Sequence, residues 1–212
     1  MNKTQDRIIN SYIIYVSEHQ KQPKSIATFV EGLKLKEETF YTYFKTFEAL
    51  EVAFWKNLFE QTIKTIEKDD VYAGYSVNEK LLSFYYTWIE NLKEYRSYTK
   101  YVLKEEKIYE LYPAGFTDFK KGFEAYVSML ITEGLETEEI ASRKFITDKY
   151  VYLLWYQPIS ILKFWVKDES ELFEDTDALI EKTVNFSFDL MRSNGLDSLF
   201  DLAKFHIQHF KL

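Results

Sequence analysis

Residues 25–50 have the sequence SIATFVEGLKLKEETFYTYFKTFEAL, and their apolar spacing decides the fold. Ser25 is a favoured helix N-cap, and the apolar residues after it recur at i, i+3, i+4 and i+7, namely Ile26, Phe29, Val30 and Leu33. After a short turn, a second short helix has Phe40, Tyr43 and Phe44 on one side, while Tyr41 points elsewhere. Two such helices form a helix-turn-helix, which presents its second helix to the major groove of DNA.

This stretch resembles the tetracycline-repressor (TetR) family of bacterial transcriptional regulators over residues 7–55. The segment 39–44, TFYTYF, is similar to the family signature Thr-Leu-Tyr-x-Tyr/His-Phe, and Ser25 stands where the family caps its second helix. The resemblance implies an all-α fold, with a three-helix head that contains the helix-turn-helix and a C-terminal helical bundle. It also implies a dimeric one-component repressor that binds DNA and is controlled by a small hydrophobic effector.

The resemblance places the DNA contacts on the second short helix and its flanks. Lys45, Tyr41 and Tyr43 match positions that contact phosphates in the family. The set predicted to bind double-stranded DNA is Ser25, Lys36, Glu37, Thr39, Tyr41, Thr42, Tyr43 and Lys45.

Four positions in the head depart from the family pattern. Lys34 stands where the turn usually has Gly, so a left-handed backbone there costs about 1 kcal/mol. Lys36 replaces the usual capping Ser, and Glu37 and Glu38 put carboxylates at the helix end that would approach phosphates. Because electrostatic attraction supplies most non-specific affinity for DNA, these carboxylates favour an alternative. The alternative is a lipid- or hydrophobe-binding protein of the same fold that has lost DNA binding, as in the lipid-binding protein of coenzyme Q biosynthesis.

The distribution of charge bears on the same choice. The chain has 212 residues and a net charge of −7. Residues 1–50 contain seven Lys or Arg and six Asp or Glu, giving +1, so the remaining residues carry −8. This asymmetry has the sign expected of a DNA-binding head on an acidic body, while its small size leaves both functions open.

The rest of the chain is predicted to be helical, because it has few Gly and Pro and no alternating strand pattern. Ser76 and Glu79 form a capping box, and Pro158 should kink a long helix. Residues 1–50 form the predicted DNA-binding domain, and 69–212 the ligand-binding and dimerisation domain. We expect nine or ten helices, namely the two in 25–50 together with 6–19, 47–68 as the connection, 76–95, 97–109, 117–132, 137–165, 176–193 and 196–210.

Aromatic residues make up 18% of the chain, and many fall at helical spacing within 69–212. An ordinary core is the simpler interpretation. A helical bundle that binds a small apolar molecule also uses aromatic walls with polar tips. The residues predicted to bind an apolar effector are Phe84, Trp88, Tyr101, Phe119, Phe123, Tyr126, Tyr150 and Trp155.

The helices predicted at 137–165 and 176–193 have more aromatic surface than one face of each can bury, which predicts a homodimer interface. The resemblance implies the same pairing, whereas the alternative is the core of a wide bundle. The aromatic and apolar residues concerned are Phe145, Tyr152, Trp155, Tyr156, Phe164, Phe186, Phe188 and Met191.

Signatures of catalysis and of cofactor binding are missing from the sequence. Cysteine is absent, and no phosphate-binding glycine loop, nucleophile elbow or zinc-protease motif occurs. His206 and His209 are spaced for one helix face but have no further ligand nearby. The sequence therefore predicts no enzyme, no catalytic residue, no metal and no cofactor. No apolar run reaches the ~18 residues of a membrane span, so we expect a cytoplasmic protein without membrane association.

Overall fold

The computed structural model describes residues 3–104, 112–143 and 146–192. Within these ranges it contains nine α-helices and no strand, so the predicted all-α fold is confirmed. The helix predicted at 196–210 lies outside the described residues. The helices are α1 (Lys3–His19), α2 (Ile26–Gly32), α3 (Glu37–Tyr43), α4 (Phe47–Ile66), α5 (Val77–Leu92), α6 (Arg96–Lys104), α7 (Thr117–Glu136), α8 (Tyr150–Trp165) and α9 (Glu174–Met191).

Side-chain caps begin two of these helices as the sequence predicts. The Ser25 hydroxyl accepts a hydrogen bond from the Thr28 backbone N–H at 3.1 Å, which fixes the start of α2. Before α5, the Ser76 N–H donates to Glu79 at 2.8 Å, and the Glu79 N–H donates to the Ser76 hydroxyl at 3.3 Å. This reciprocal pair is the predicted capping box.

The prediction of a single helix at 137–165 is wrong. After the end of α7, Glu138 has a left-handed φ of 62°, which stops the helix. The next backbone N–H groups then find other acceptors: Ile140 donates to Gly134 at 2.8 Å, and Ala141 donates to the last residue of α9 at 2.8 Å. Only the second half of the predicted helix forms, as α8, and it continues through Pro158.

The chain divides into two compact units. The first comprises residues 1–65 and 87–123, and the second comprises 66–86 and 124–212. Residues 87–123 belong with the N-terminal helices because α6 packs against α1. The division of function between 1–50 and 69–212 stays a prediction.

An aromatic cluster forms the core of the N-terminal helices in the first unit. The Phe47 ring lies 5.1 Å from Tyr12, 5.6 Å from Phe29 and 5.8 Å from Phe40, measured between centroids. These rings come from α1, α2, α3 and α4. The cluster therefore holds α2 and α3 against α1 and α4.

In the second unit, α8 packs against α9. The connection between them is fixed by Asp168, whose carboxylate accepts hydrogen bonds from the backbone N–H groups of Ser170 at 2.8 Å and Thr176 at 2.9 Å. Thr176 lies in the first turn of α9, so this distant carboxylate takes the place of a local cap.

Candidate functional site

The turn between α2 and α3 contains a residue with a left-handed backbone. Lys34 has a φ of 57°, in the left-handed region that favours glycine. Its N–H donates to the Glu31 carbonyl at 2.9 Å, and the Leu35 N–H donates to Val30 at 2.9 Å. A lysine therefore occupies the conformation that Gly provides in the family pattern.

Arg7 on α1 holds this turn from outside. Its guanidinium donates a hydrogen bond to the Leu33 carbonyl at 2.8 Å. That carbonyl is at the C-terminal end of α2, where helices leave acceptors without an internal partner. The two residues are 26 positions apart in the sequence, and this contact was not predicted.

The residues predicted to bind DNA lie on or beside α3, apart from Ser25. Phe40 turns into the core, while Tyr41 on the opposite side is 52% exposed. The described side chains sort into two groups. The exposed members are Ser25, Lys36, Glu37, Thr42 and Lys45, and the half-buried members are Thr39 and Tyr43.

Several of these polar groups are already engaged within the protein. The Ser25 hydroxyl caps α2, and the Thr42 hydroxyl donates to the Glu38 carbonyl one turn earlier at 2.8 Å. Lys36 is the N-cap residue of α3 and makes no side-chain cap. Glu37 and Glu38 occupy the first turn of α3, where carboxylates are favoured by the helix dipole.

The residues predicted to bind an effector fall into both units. In the first unit, Phe119 stacks on Trp88 with centroids 5.0 Å apart and on Phe123 at 6.3 Å, and all three are buried. Tyr101 is half-buried on α6. These rings contact one another closely, as in an ordinary core.

In the second unit, the Phe84 ring lies 5.3 Å from Tyr126. The Tyr126 hydroxyl donates to the Lys80 carbonyl at 2.9 Å, and burial raises the pKa of this phenol far above its usual range. Tyr150 accepts a hydrogen bond from Arg143 at 2.7 Å, and Trp155 is buried on α8. Their role in binding an effector stays a prediction.

A buried polar chain in the second unit was not predicted. The Tyr85 hydroxyl donates to the Gln157 side-chain oxygen at 3.0 Å, and the Gln157 amide donates to the Ser187 hydroxyl at 2.6 Å. Burial raises the pKa of Tyr85 well above its usual value. Gln157 is the only amide side chain in α8, which was the signal available in the sequence.

The aromatic and apolar residues predicted for a dimer interface fall into a buried group and an exposed group. Trp155, Phe188 and Met191 are buried within the second unit, so for them the core interpretation holds. Phe145 lies outside the described residues. The exposed members are Tyr152, Tyr156 and Phe164 on α8 and Phe186 on α9.

Among the described residues, no group of three or more His, Asp or Glu side chains is placed to hold a metal ion. No helix in that part of the chain is long and apolar enough to cross a membrane.

Comparison with known proteins agrees with the architecture. A family model for the tetracyclin repressor-like C-terminal domain matches residues 80–206, which is more than half of the chain. A search of curated proteins found no match. The matched region begins in α5 and includes α7, α8 and α9, so it is independent of the helix-turn-helix that suggested the same family from the N-terminal side. The chain belongs to the tetracycline-repressor family of regulators.

Proposed function

We propose that this protein is a DNA-binding transcriptional repressor that acts as a homodimer and is released from DNA by a small hydrophobic effector. The observation that carries the proposal is the α2–α3 pair. Its turn adopts the left-handed backbone at Lys34, and α3 buries Phe40 while exposing Tyr41 and Thr42. A short helix that packs against the core on one side and exposes polar side chains on the other is suited to enter a major groove.

In this proposal, Lys45 and the two tyrosines Tyr41 and Tyr43 bind phosphates, and the first turns of α3 meet base edges. The carboxylates of Glu37 and Glu38 repel phosphates. They are therefore placed opposite cytosine bases, because a carboxylate accepts a hydrogen bond from the cytosine amino group in the major groove. The two acidic residues would then reduce non-specific affinity for DNA and discriminate between base sequences.

Binding to random-sequence duplex DNA across a salt series tests this proposal. Lys45→Ala should weaken binding to every sequence and lower the salt slope by about one unit, because one phosphate contact is lost. Lys64→Ala, which removes an exposed lysine from the last turn of α4, is the matched control and should leave both quantities unchanged. The double substitution Glu37→Gln with Glu38→Gln should strengthen non-specific binding.

A protein that binds no duplex at low salt would overturn the DNA-binding role. Unchanged affinity of the Glu37 and Glu38 double variant would show that these carboxylates do not approach the duplex.

We propose that the dimer forms through the exposed aromatic face of α8 and α9. A twofold dimer would place two α3 helices on successive major grooves, about 34 Å apart. An effector that binds the aromatic interior would favour one of two dimer geometries and so change this separation.

The effector proposal has its own test. The purified protein should bind an apolar fluorescent probe without unfolding, and Trp88→Ala or Phe123→Ala should change probe affinity more than stability. A loss of about 3–5 kcal/mol in the free energy of unfolding without any change in probe binding would identify these residues as core alone.

A second function is favoured by Glu37 and Glu38, which are exposed at the N-terminal end of α3. A hydrophobe-binding protein of this fold has no need of a DNA-compatible surface there. Probe binding by the interior together with no DNA binding at any salt concentration would select this function.

A further inference from the structure

Thr42 lies on the side of α3 that faces away from the core. Successive residues of an α-helix are about 100° apart around its axis. Phe40 is fully buried and marks the packed side, so Thr42, two positions later and exposed, lies about 200° from it. Glu38, one turn before Thr42 and also exposed, shares this outward side. A duplex that approaches α3 from outside would therefore meet Glu38 and Thr42 first.

The hydroxyl group of Thr42 is directed to the backbone of its own helix. It donates a hydrogen bond to the Glu38 carbonyl at 2.8 Å. A threonine hydroxyl has a single proton, so this contact uses the only donor that the side chain has. Such a bond turns the oxygen toward the preceding helical turn, and the methyl group is the other substituent on Cβ. Thr42 therefore offers an apolar methyl group on an otherwise polar outward side.

A methyl group at this position distinguishes among the bases. In the major groove, thymine carries a 5-methyl group, which the methyl group of a threonine side chain recognises by apolar contact. Guanine offers two acceptors in the same groove and requires a donor, which Thr42 has already used. The chemistry of this side chain therefore favours thymine over guanine.

We propose that Thr42 is the residue of α3 that recognises thymine, through contact between its methyl group and the 5-methyl group of the base. This inference rests on the proposed function in DNA binding and adds a base that the protein selects. One helical turn separates Thr42 from Glu38 and rises about 5.4 Å, whereas base pairs are spaced about 3.4 Å apart. The thymine thus lies within about two base pairs of the cytosine that faces Glu38.

Replacement of thymine by uracil tests this inference, because uracil lacks only the 5-methyl group. The full chain first selects its preferred duplex from a random-sequence library, and each thymine of that duplex is then replaced in turn. We expect one replacement in a half-site to weaken binding about fourfold, the factor that corresponds to burial of one methyl-sized group. The other replacements should have smaller effects.

Two conservative variants assign this effect to one group of Thr42. Thr42→Val keeps a methyl group and removes the hydroxyl, so it should retain the preference for thymine over uracil. Thr42→Ser keeps the hydroxyl and removes the methyl group, so it should bind the thymine and uracil duplexes equally. Thr65 on α4 is the matched control, because it is exposed and its hydroxyl also donates one turn back, to the Gln61 carbonyl at 2.9 Å. Thr65→Val and Thr65→Ser should both retain the preference.

The uracil series on the unsubstituted protein needs no variant, so it stays decisive if a Thr42 variant folds poorly. A selected duplex in which no uracil replacement weakens binding would overturn the inference while leaving the proposed function intact. A Thr42→Ser protein with an undiminished preference would overturn it too, as would a Thr42→Val protein without one, because the hydroxyl oxygen would then be the contact. Failure to bind any duplex would instead overturn the proposed function, and this inference with it.

Discussion

The Tyr12 hydroxyl on α1 donates a 2.5 Å hydrogen bond to the Glu51 carboxylate on α4. Gln22, from the connection between α1 and α2, donates to the same carboxylate oxygen at 3.2 Å. Burial raises the pKa of Glu51, although the hydrogen bonds from Tyr12 and Gln22 oppose the rise. A partly buried acid thus joins three segments of the head.

The raised pKa of Glu51 predicts that its contribution to the free energy of unfolding falls as the pH rises. A carboxyl whose pKa is raised by folding stabilises the folded state fully below its unfolded value, about 4.3, and loses that contribution as the pH rises through the folded value. Glu51→Gln keeps an acceptor for Tyr12 without the charge. The variant should therefore gain stability over the unsubstituted protein as the pH is raised from acid to neutral.

Urea unfolding of both proteins at a series of pH values measures this difference. Tyr12→Phe at neutral pH is the companion variant, and it should lose stability because the Glu51 carboxylate loses a donor. A difference between the Glu51→Gln and unsubstituted proteins that does not vary with pH would mean that folding leaves the Glu51 pKa at its ordinary value.

The contribution of Asp168 to the free energy of unfolding should have the opposite pH dependence. Its side chain is 5% exposed, and although burial alone would raise its pKa, hydrogen bonds from Ser170 and Thr176 lower the pKa to about 2. A carboxyl with a lowered pKa stabilises the folded state above its unfolded value, about 3.9, and this contribution is lost as the pH falls through the folded value. Asp168→Asn should cost about 2 kcal/mol at neutral pH.

The cost of Asp168→Asn should shrink as the pH falls between about 4 and 2, because the unsubstituted protein then loses the same contribution. Chemical denaturation followed by circular dichroism at each pH measures it. Asp175→Asn, which removes an exposed carboxylate from the first turn of α9, should show little change at any pH. A constant cost for Asp168→Asn across this range would contradict a lowered pKa.

Local signals explain which parts of this fold were predictable. The caps at Ser25 and Ser76 act on N–H groups three residues away or fewer, so the sequence alone indicates them. The break after α7 depends on Ala141 donating to the end of α9 and on Arg143 donating to the Met191 carbonyl at 3.1 Å. Such acceptors lie far away in sequence, and apolar periodicity gives no indication of them.

The candidate sites differ in the same way. Helical periodicity separates the buried side of α3 from its exposed sides, so Phe40 was correctly assigned to the packed side and Tyr41 to another. The polar chain through Gln157 depends on α5 and α9 both meeting α8. The lone amide in α8 indicates a polar position, but its partners lie 72 and 30 residues away and have no signature in that segment of sequence.

The left-handed backbone at Lys34 predicts an unusual ranking of substitutions in the turn. Asn adopts this conformation more readily than other residues with a side chain, whereas a β-branched residue is strongly disfavoured. Lys34→Asn should be neutral or slightly stabilising, and Lys34→Val should lose about 1–2 kcal/mol. Thermal unfolding of each variant measures these effects.

Lys36→Val is the matched control for the turn, because Lys36 has an extended backbone with a φ of −86° and a ψ of 152°. A β-branched residue favours an extended backbone, so this variant should change the free energy of unfolding little. Equal losses for valine at both positions would indicate a general effect of removing lysine and not backbone strain.

The exposed face of α8 and α9 predicts a dimer that single charges disrupt. Tyr156 and Phe186 are 56% and 63% exposed in the single chain, and burying a carboxylate in an aromatic interface leaves it without a partner. Tyr156→Glu or Phe186→Glu should weaken self-association by about tenfold or more, measured by sedimentation over a range of protein concentrations. Met129→Glu on α7, which is 64% exposed and carries the same new charge, should leave association unchanged. Equal weakening by all three substitutions would attribute the effect to net charge, and no weakening by the first two would place the dimer interface on another surface.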